Sequence, residues 1–371
     1  MTEIDYGIIT DATEEWKSSG GKVVGTICCH IPEELVHASG VLPIRLRATG
    51  AKDDSIGETY MSTWSCSFAR ACLQYMADGT YDILDGLVGT NGCMMTQRIY
   101  DNSQFIEKSD RFYYLYTTPR LTHERAFDFY VDEMGKLKNE LEEKTGNEIT
   151  DDQIRASVEL YNESRRLIKQ LYELRKTDAP VITGAESLKW TLAAMSMPKG
   201  QFNEKLTQFL QEAEGLDPVQ PNSPRMLLIG SGCDDPEYVK LLEDQGCLIV
   251  SDVQCFGSRY LWEEIETDGD IINNIAEMYL RRPICPRMCD THSGIVEFII
   301  NMAKEFKVDG VIYIRLRNCD PWGGEKMFFE EALIENDLPF LELEREEITV
   351  NAGQVAVRVE AFIEMLEDKE Q

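Results

Sequence analysis

Eleven cysteines in a chain of 371 residues are the side chains with most chemistry to offer. Thiolate is a soft ligand that selects iron-sulfur clusters, zinc or copper(I). The nearest spacings are Cys28-Cys29, Cys285-x3-Cys289 and Cys66-x5-Cys72. None is the C-x2-C pair of a structural zinc site, and the four histidines are too scattered to make one. A disulfide framework needs an oxidising compartment. The opening residues MTEIDYGIITDATEEW lack the basic and apolar regions of a secretory leader, so the expected location is cytoplasmic. Iron-sulfur chemistry fits these thiols best, with small-hydrophobe packing as the plain alternative for any one of them, above all for Cys72, inside an amphipathic helix, and Cys247, opening a strand.

Those cysteines stand at the ends of regular elements. GKVVGTICC reads as a strand and PEELVHASG as the helix after it, with proline at its start and glycine at its end. CSFARACLQYMADG has helical spacing and leads into the strand of ILDGLVGTN and then Gly92-Cys93. From about residue 122 to 211 the pattern is long amphipathic helices, clearest in DDQIRASVELYNESRRLIKQLYELRK. Pro218, Pro221 and Pro224 interrupt it and mark a linker over 215–225. This divides an N-terminal α/β domain over 1–214 from a C-terminal one over 226–371. In the second, RMLLIGSGC, CLIVSDVQC and GVIYIRLRNC read as strands, alternating with helices over DPEYVKLLEDQG, around Ile271 to Leu280 and over SGIVEFIINMAKEF. Such alternation predicts open parallel sheets with helices on both faces.

The halves also share a cysteine layout. Strands end at Cys29 and Cys233; Cys66 and Cys289 precede helices; strands end again at Cys93 and Cys319. In an open α/β sheet, ligands collect beyond the carboxyl ends of the strands, where Cys29, Cys93, Cys233, Cys255 and Cys319 would lie. Two such domains facing each other would close a shared pocket.

The segments CSFARACLQYMADGTYDILDGLVGTNGC, VDGVIYIRLRNCDPWGGE, HIPEELVHASGVLPIRLRATGA and SDVQCFGSRYLW resemble the superfamily of benzoyl-CoA reductases and 2-hydroxyacyl-CoA dehydratases over nearly the whole chain. The resemblance implies two Rossmann-like open-sheet domains with a helical insertion and a 4Fe-4S cluster between them. Its three cysteine ligands match Cys66, Cys93 and Cys319, and the fourth iron has no cysteine. It further implies a low-potential radical reduction or dehydration of an acyl-CoA, through a ketyl-type radical. The chain has no G-x-x-x-x-G-K-[ST]. The family uses a separate ATP-hydrolysing iron-sulfur activator, and its subunits pair with a related subunit as a heterodimer or with themselves as a homodimer.

Cys29, Cys233, Cys255, Cys285 and Cys289 exceed that need. One branch of the superfamily carries a double-cubane 8Fe-9S cluster and reduces small molecules that are not CoA esters. The repeat suits it, with Cys29 or Cys28, Cys66 and Cys93 on one side and Cys255 or Cys233, Cys289 and Cys319 on the other. Against it, a strand running through Cys28 and Cys29 would point them to opposite faces. A noncatalytic electron-relay subunit is a third reading.

Smaller expectations concern single residues. Glu34 would face the pocket as an acid/base group, or merely favour a helix N-terminus with Glu33. His30 and His37 would shuttle protons or lie on a helix surface. Arg259 would bind a substrate phosphate, orient the cluster or form a surface ion pair, and Asp320 would cap a helix. Trp64, Phe68 and Trp322 would exclude water. A net charge of −29 argues against nucleic-acid partners and anionic lipid, and no apolar run approaches the roughly 18 residues of a membrane span.

Overall fold

A computed structural model describes residues 2–106, 111–260, 262–281, 285–348 and 351–370. The protein is α/β, with two four-stranded sheets whose strands all run parallel. The first holds β1 (Val23–Thr26), β2 (Leu42–Arg45), β3 (Gly86–Thr90) and β4 (Phe112–Tyr116) in the order β2-β1-β3-β4. The second holds β5 (Arg225–Gly230), β6 (Leu248–Val253), β7 (Gly310–Leu316) and β8 (Phe340–Arg345) in the order β6-β5-β7-β8. The repeat seen in the cysteines is thus a repeat of topology. In each sheet the order reverses beside the first strand, between β1 and β3 and between β5 and β7, the place where open α/β sheets take their ligands.

Each sheet is covered on both faces, which is why its strands are short continuous apolar runs. Neighbouring residues go to opposite cores, as the two-residue period requires. Val23 packs with Leu73 and Met76 of helix Ser67–Ala77, while Val24 packs with Leu35, Met134 and Leu137 on the other side. In β5, Leu227 and Ile229 meet Trp190, Phe202 and Phe209, while Met226 and Leu228 meet Val239, Val359 and Phe362. The edge strands β4 and β8 are less buried.

The expected helical stretch is four helices: Glu124–Thr145, Asp151–Lys176, Gly184–Ala194 and Lys199–Ala213. Thr150 with Gln153 and Thr183 with Glu186 close reciprocal caps that start the second and third. Trp190, Phe202 and Leu206 of this stretch pack in the core of the second sheet. Conversely, Ile275 and Tyr279 of helix Ile271–Arg281 pack with Met134 and Leu137. The two lobes are therefore interlocked, each contributing helices to the other's core. No helix among the described residues is long and apolar enough to cross a membrane.

Candidate metal centre

Three cysteines stand at the starts of three helices. Cys66 is the N-cap of Ser67–Ala77, Cys319 is the N-cap of Asp320–Glu335, and Cys93 directly precedes Met94–Ile106. Cys93 follows β3 and Cys319 follows β7, the central strands beside which the sheet order reverses. In each case an amide three residues on serves the sulfur. The Thr96 N–H donates to Cys93 Sγ at 3.4 Å. The amides of Ala69 and Trp322 favour the thiolates of Cys66 and Cys319. Helix N-termini carry partial positive charge, and such a site stabilises sulfur in the form that binds metal.

The three thiols also feel one another. Burial pushes the Cys66 thiol well up, and Cys93 and Cys319 raise it further. Burial likewise raises Cys319, against its Ser231 and Trp322 hydrogen bonds and with help from Cys93 and Cys285. A cluster of mutually repelling buried thiols needs a cation before it can ionise.

A second group lies beside the first. Cys28, Cys29, Cys255 and Cys285 converge where the turns after β1 and β6 meet the segment after helix Ile271–Arg281. The Cys28 thiol is raised first by its hydrogen bond to Cys29, then by burial and by the charges of Cys29 and Cys285, while Arg287 opposes them. Cys255 is pushed to about 12, mainly by burial and then by Cys29. Glycines make the room: a Cβ on Gly92 would sit 3.2 Å from Cys28 Sγ, and one on Gly232 2.8 Å from Cys255 Sγ. β1 stops at Thr26, and Cys28 takes φ 83°, so strand alternation does not apply there. This corrects the expectation that Cys28 and Cys29 diverge.

Positive charge surrounds this second group. Arg45 and Arg259 are buried beside the thiols; against desolvation, Arg45 is held protonated first by Glu33 and then by Cys29, and Arg259 by Cys285, Cys29 and Cys255. Arg259 also lies 5.9 Å from the centre of the Trp322 ring. Arg287 donates to the Pro119 carbonyl at 2.8 Å, while its Nε and Nη1 are buried without a hydrogen-bond partner. Buried guanidinium groups among neutral thiols are costly unless anionic sulfur faces them.

A polar network lies behind these residues. Glu33 pairs with Arg45 at 2.6 Å and accepts from the Tyr260 hydroxyl. Burial opposes ionisation of Glu33, but Arg45, Lys199 and that hydroxyl outweigh it and hold its carboxyl below its ordinary value. Glu34, fully buried, pairs with Arg165 and accepts from Tyr279 at 2.8 Å. Its helix therefore points both carboxylates inward, Glu33 toward Arg45 and Glu34 toward the long helix. His37 contacts Ser157 Oγ at 2.9 Å, and burial followed by Lys199 lowers its pKa. His30 is buried, and its carbonyl accepts from Tyr130.

The remaining sequence candidates differ in their placement. Cys289 is exposed, with its amide bonded to the Arg120 carbonyl at 2.8 Å, and Thr291 rather than Cys289 caps helix His292–Glu305. Cys233 is held by Arg345 at 3.1 Å beside Tyr238, and Cys72 and Cys247 are fully buried. Trp64 is 81% exposed and excludes nothing. Trp322 is buried, and Phe68 packs 5.8 Å from Phe256. Asp320 begins the helix that Cys319 caps. Sequence reasoning offered Cys28 only as an alternative to Cys29, named Cys285 without a role, and missed Arg45, Arg287, Tyr260 and Lys199. Only the buried position of a basic residue could have flagged them, and an isolated Arg or Lys carries no such signal.

Among the described residues, no three His, Cys, Asp or Glu side chains converge closely enough to hold a single metal ion. A cluster makes a different demand, because its cysteines bind separate irons and stand further apart. All-thiolate donors, helix-start amides, buried arginines and glycine-made space suit an anionic iron-sulfur group.

Taken together, two parallel four-stranded sheets with cysteines at the starts of the helices that follow β3 and β7 define an α/β protein with a cysteine-rich candidate site. Residues 28–366 match the family described as 2-hydroxyglutaryl-CoA dehydratase, D-component, and the chain belongs to that family. It is 24% identical to a benzoyl-CoA reductase component of Thauera aromatica, over 93% of this chain and 90% of the relative. It is 26% identical to the (R)-phenyllactyl-CoA dehydratase beta subunit of Clostridium sporogenes, over 94% and 93%. It is 25% identical to the beta subunit of (R)-2-hydroxyglutaryl-CoA dehydratase of Acidaminococcus fermentans, over 95% and 94%. These relatives are components of dehydratase and reductase enzymes, and the chain is an enzyme component of the same kind.

Proposed function

We propose that this chain is the iron-sulfur subunit of an enzyme that reduces or dehydrates an acyl-CoA. Cys66, Cys93 and Cys319 would hold a 4Fe-4S cluster, which would supply a strongly reducing electron and a Lewis-acidic iron that no cysteine occupies. The observation that carries this is the convergence of three thiols, each at a helix start and each served by an amide three residues on. The chain's own residues do the rest. Trp322 and Phe256 pack close by and keep water away, and Arg259 fixes the second group of thiols. Glu33 and Glu34 hold buried carboxylates in register with the pocket and with the helical lobe.

The relatives' names place them in assemblies of several subunits, which supports a related partner subunit here. With no phosphate-binding loop motif in the sequence, electrons would come from an ATP-hydrolysing activator protein. Anaerobic reconstitution with iron and sulfide, followed by titration with acyl-CoA thioesters, tests the reading. A bound cluster whose spectrum changes with thioester supports it; a cluster indifferent to every thioester favours an electron relay.

A second reading has its own observation. Cys28, Cys29, Cys255 and Cys285, with Arg45, Arg259 and Arg287, provide enough additional thiols and positive charge for a double-cubane 8Fe-9S cluster acting on a small substrate that is not a CoA ester. Cys285 rather than Cys289 would then complete the ligand set. An iron count near eight rather than four per chain distinguishes the two.

A further inference from the structure

Lys199, Tyr260 and Glu33 form a hydrogen-bonded line that cluster binding does not require. Lys199 starts helix Lys199–Ala213 and is 3% exposed. Its Nζ donates to the Ala194 carbonyl, lies 3.1 Å from the Tyr260 hydroxyl, and sits over the rings of Tyr161 and Tyr260 at 4.7 and 5.5 Å. Its direct partners are thus a carbonyl, a phenol and two aromatic faces, not the carboxylate a buried lysine ordinarily needs. The Tyr260 hydroxyl donates onward to Glu33 Oε2, and Glu33 Oε1 accepts from Arg45 Nη2 at 2.6 Å. Arg45 in turn acts on the thiols of Cys28 and Cys29. The line therefore runs from the helical lobe to the edge of the cysteine pocket.

We propose that Lys199 delivers protons through the Tyr260 hydroxyl to Glu33, which supplies them to the reaction in the cysteine-lined pocket. In the step, a Lys199 N–H bond breaks as its proton reaches the Tyr260 oxygen, and the Tyr260 O–H bond breaks as its proton reaches Glu33. An ammonium and a carboxylate become an amine and a carboxylic acid, with no electrons moved and no change in net charge. Glu33 passes the proton to the group reduced or expelled, and Lys199 recovers one from solvent. This inference rests on the pocket being the reaction site.

The surrounding groups suit the transfer. Lys199 faces Glu33, Glu34 and His37 from one helix, Arg45 from β2, Tyr161 and Arg165 from the long helix, and Tyr260 from the turn after Cys255. Burial, reinforced by Arg45 and Arg165 against Glu33 and Glu34, lowers Lys199 to about 8. Its ammonium is thus a usable acid near neutral pH. Lys199 also helps hold Glu33 ionised, so losing its proton makes Glu33 easier to protonate. Transfer is uphill at rest and is completed only when the pocket consumes the proton.

The test uses the full chain, free of iron, carrying 13Cε-lysine and 13Cζ-tyrosine. One lysine signal, absent from Lys199→Gln, should titrate near 8 rather than at the ordinary 10.5, and the Tyr260 signal should move with the same midpoint. Tyr260→Phe keeps the ring but cuts the line, and should shift the Lys199 midpoint. Lys199→Arg keeps the charge but cannot release the proton, and should abolish the Tyr260 response. An ordinary Lys199 midpoint, or a Tyr260 signal indifferent to Lys199, overturns the relay. In the cluster-loaded chain, the midpoint potential should fall with rising pH, less so in Tyr260→Phe; an identical slope in that variant also overturns it. Failure of the wild-type chain to take up iron would instead overturn the reading of the pocket, and the NMR titration would still decide the relay.

Discussion

The Thr96 amide meets the Cys93 sulfur at 3.4 Å, in the first turn of the helix that Cys93 precedes. The Thr96 hydroxyl also donates to the Cys93 carbonyl at 2.9 Å, so one residue fixes both ends of the cysteine. The amides of Ala69 and Trp322 favour the thiolates of Cys66 and Cys319 in the same way. A recurrence of this kind places the sulfurs before any metal arrives.

Replacing any one of these cysteines should therefore cost more than the roughly 10–100-fold that loss of an outer-shell partner costs a metal site. Cys66→Ala, Cys93→Ala and Cys319→Ala should each bleach the cluster absorbance and lower bound iron, read anaerobically against the wild type. Cys72→Ala and Cys289→Ala should leave both intact. Full retention of iron in any of the first three removes that residue from the ligand set.

Cluster assembly should depend on pH with a definite sign. Burial holds the Cys66 thiol above its ordinary value and Cys255 at about 12, so both are protonated near neutrality. Iron binding must displace those protons, and metal affinity therefore rises with pH. The measurement is iron uptake between about pH 6.5 and 8.5 with proton release followed by indicator dye. Uptake that falls as pH rises would contradict this.

Glu34 and Arg165 form a fully buried pair, and breaking it should be felt as instability. Arg165→Met strands a buried carboxylate, at a cost of about 3–5 kcal/mol in urea unfolding. The double variant Glu34→Gln with Arg165→Met should recover much of that loss, because neither charge is then left alone. If Arg165→Met unfolds like the wild type, the pair does not carry the structure.

Lys199 predicts a second pH effect, in stability. Its pKa falls from 10.5 unfolded to about 8 folded, so between these values the unfolded chain binds more protons. Stability should therefore rise with pH across that window, by up to about 3 kcal/mol at roughly 1.4 kcal/mol per unit. Below it, the buried charge weighs against the fold. Lys199→Met should flatten the dependence, as read by urea midpoints at a series of pH values. An unchanged slope would place the titration elsewhere.

Much of the fold was legible because its signals are local. Apolar runs ending at turn residues marked β1, β3, β5, β6 and β7, and the prolines before Arg225 marked the break before the second sheet. Strands β2, β4 and β8 were missed: LPIR is four residues interrupted by a proline, FYYLY is half-buried, and FLELER alternates apolar with charged residues. The interlocking of the lobes was also hidden, since periodicity shows that a helix has an apolar face but not which core receives it. Of the candidate site, Cys66, Cys93 and Cys319 were singled out by the family resemblance, and each stands at a helix start. The layout that matched Cys289 with Cys66 could not show that Cys289 is exposed, with Thr291 capping the next helix, while Cys285 lies near Cys28, Cys255 and Arg259. The basic and phenolic residues around Glu33 were invisible because their meaning lies in contacts between distant segments.

Iron and acid-labile sulfide, counted per chain after anaerobic purification, test the central claim most directly. The account predicts about four of each for a single cubane, or about eight irons and nine sulfides for the linked form, held in a brown protein. A colourless chain that remains iron-poor after reconstitution would contradict it.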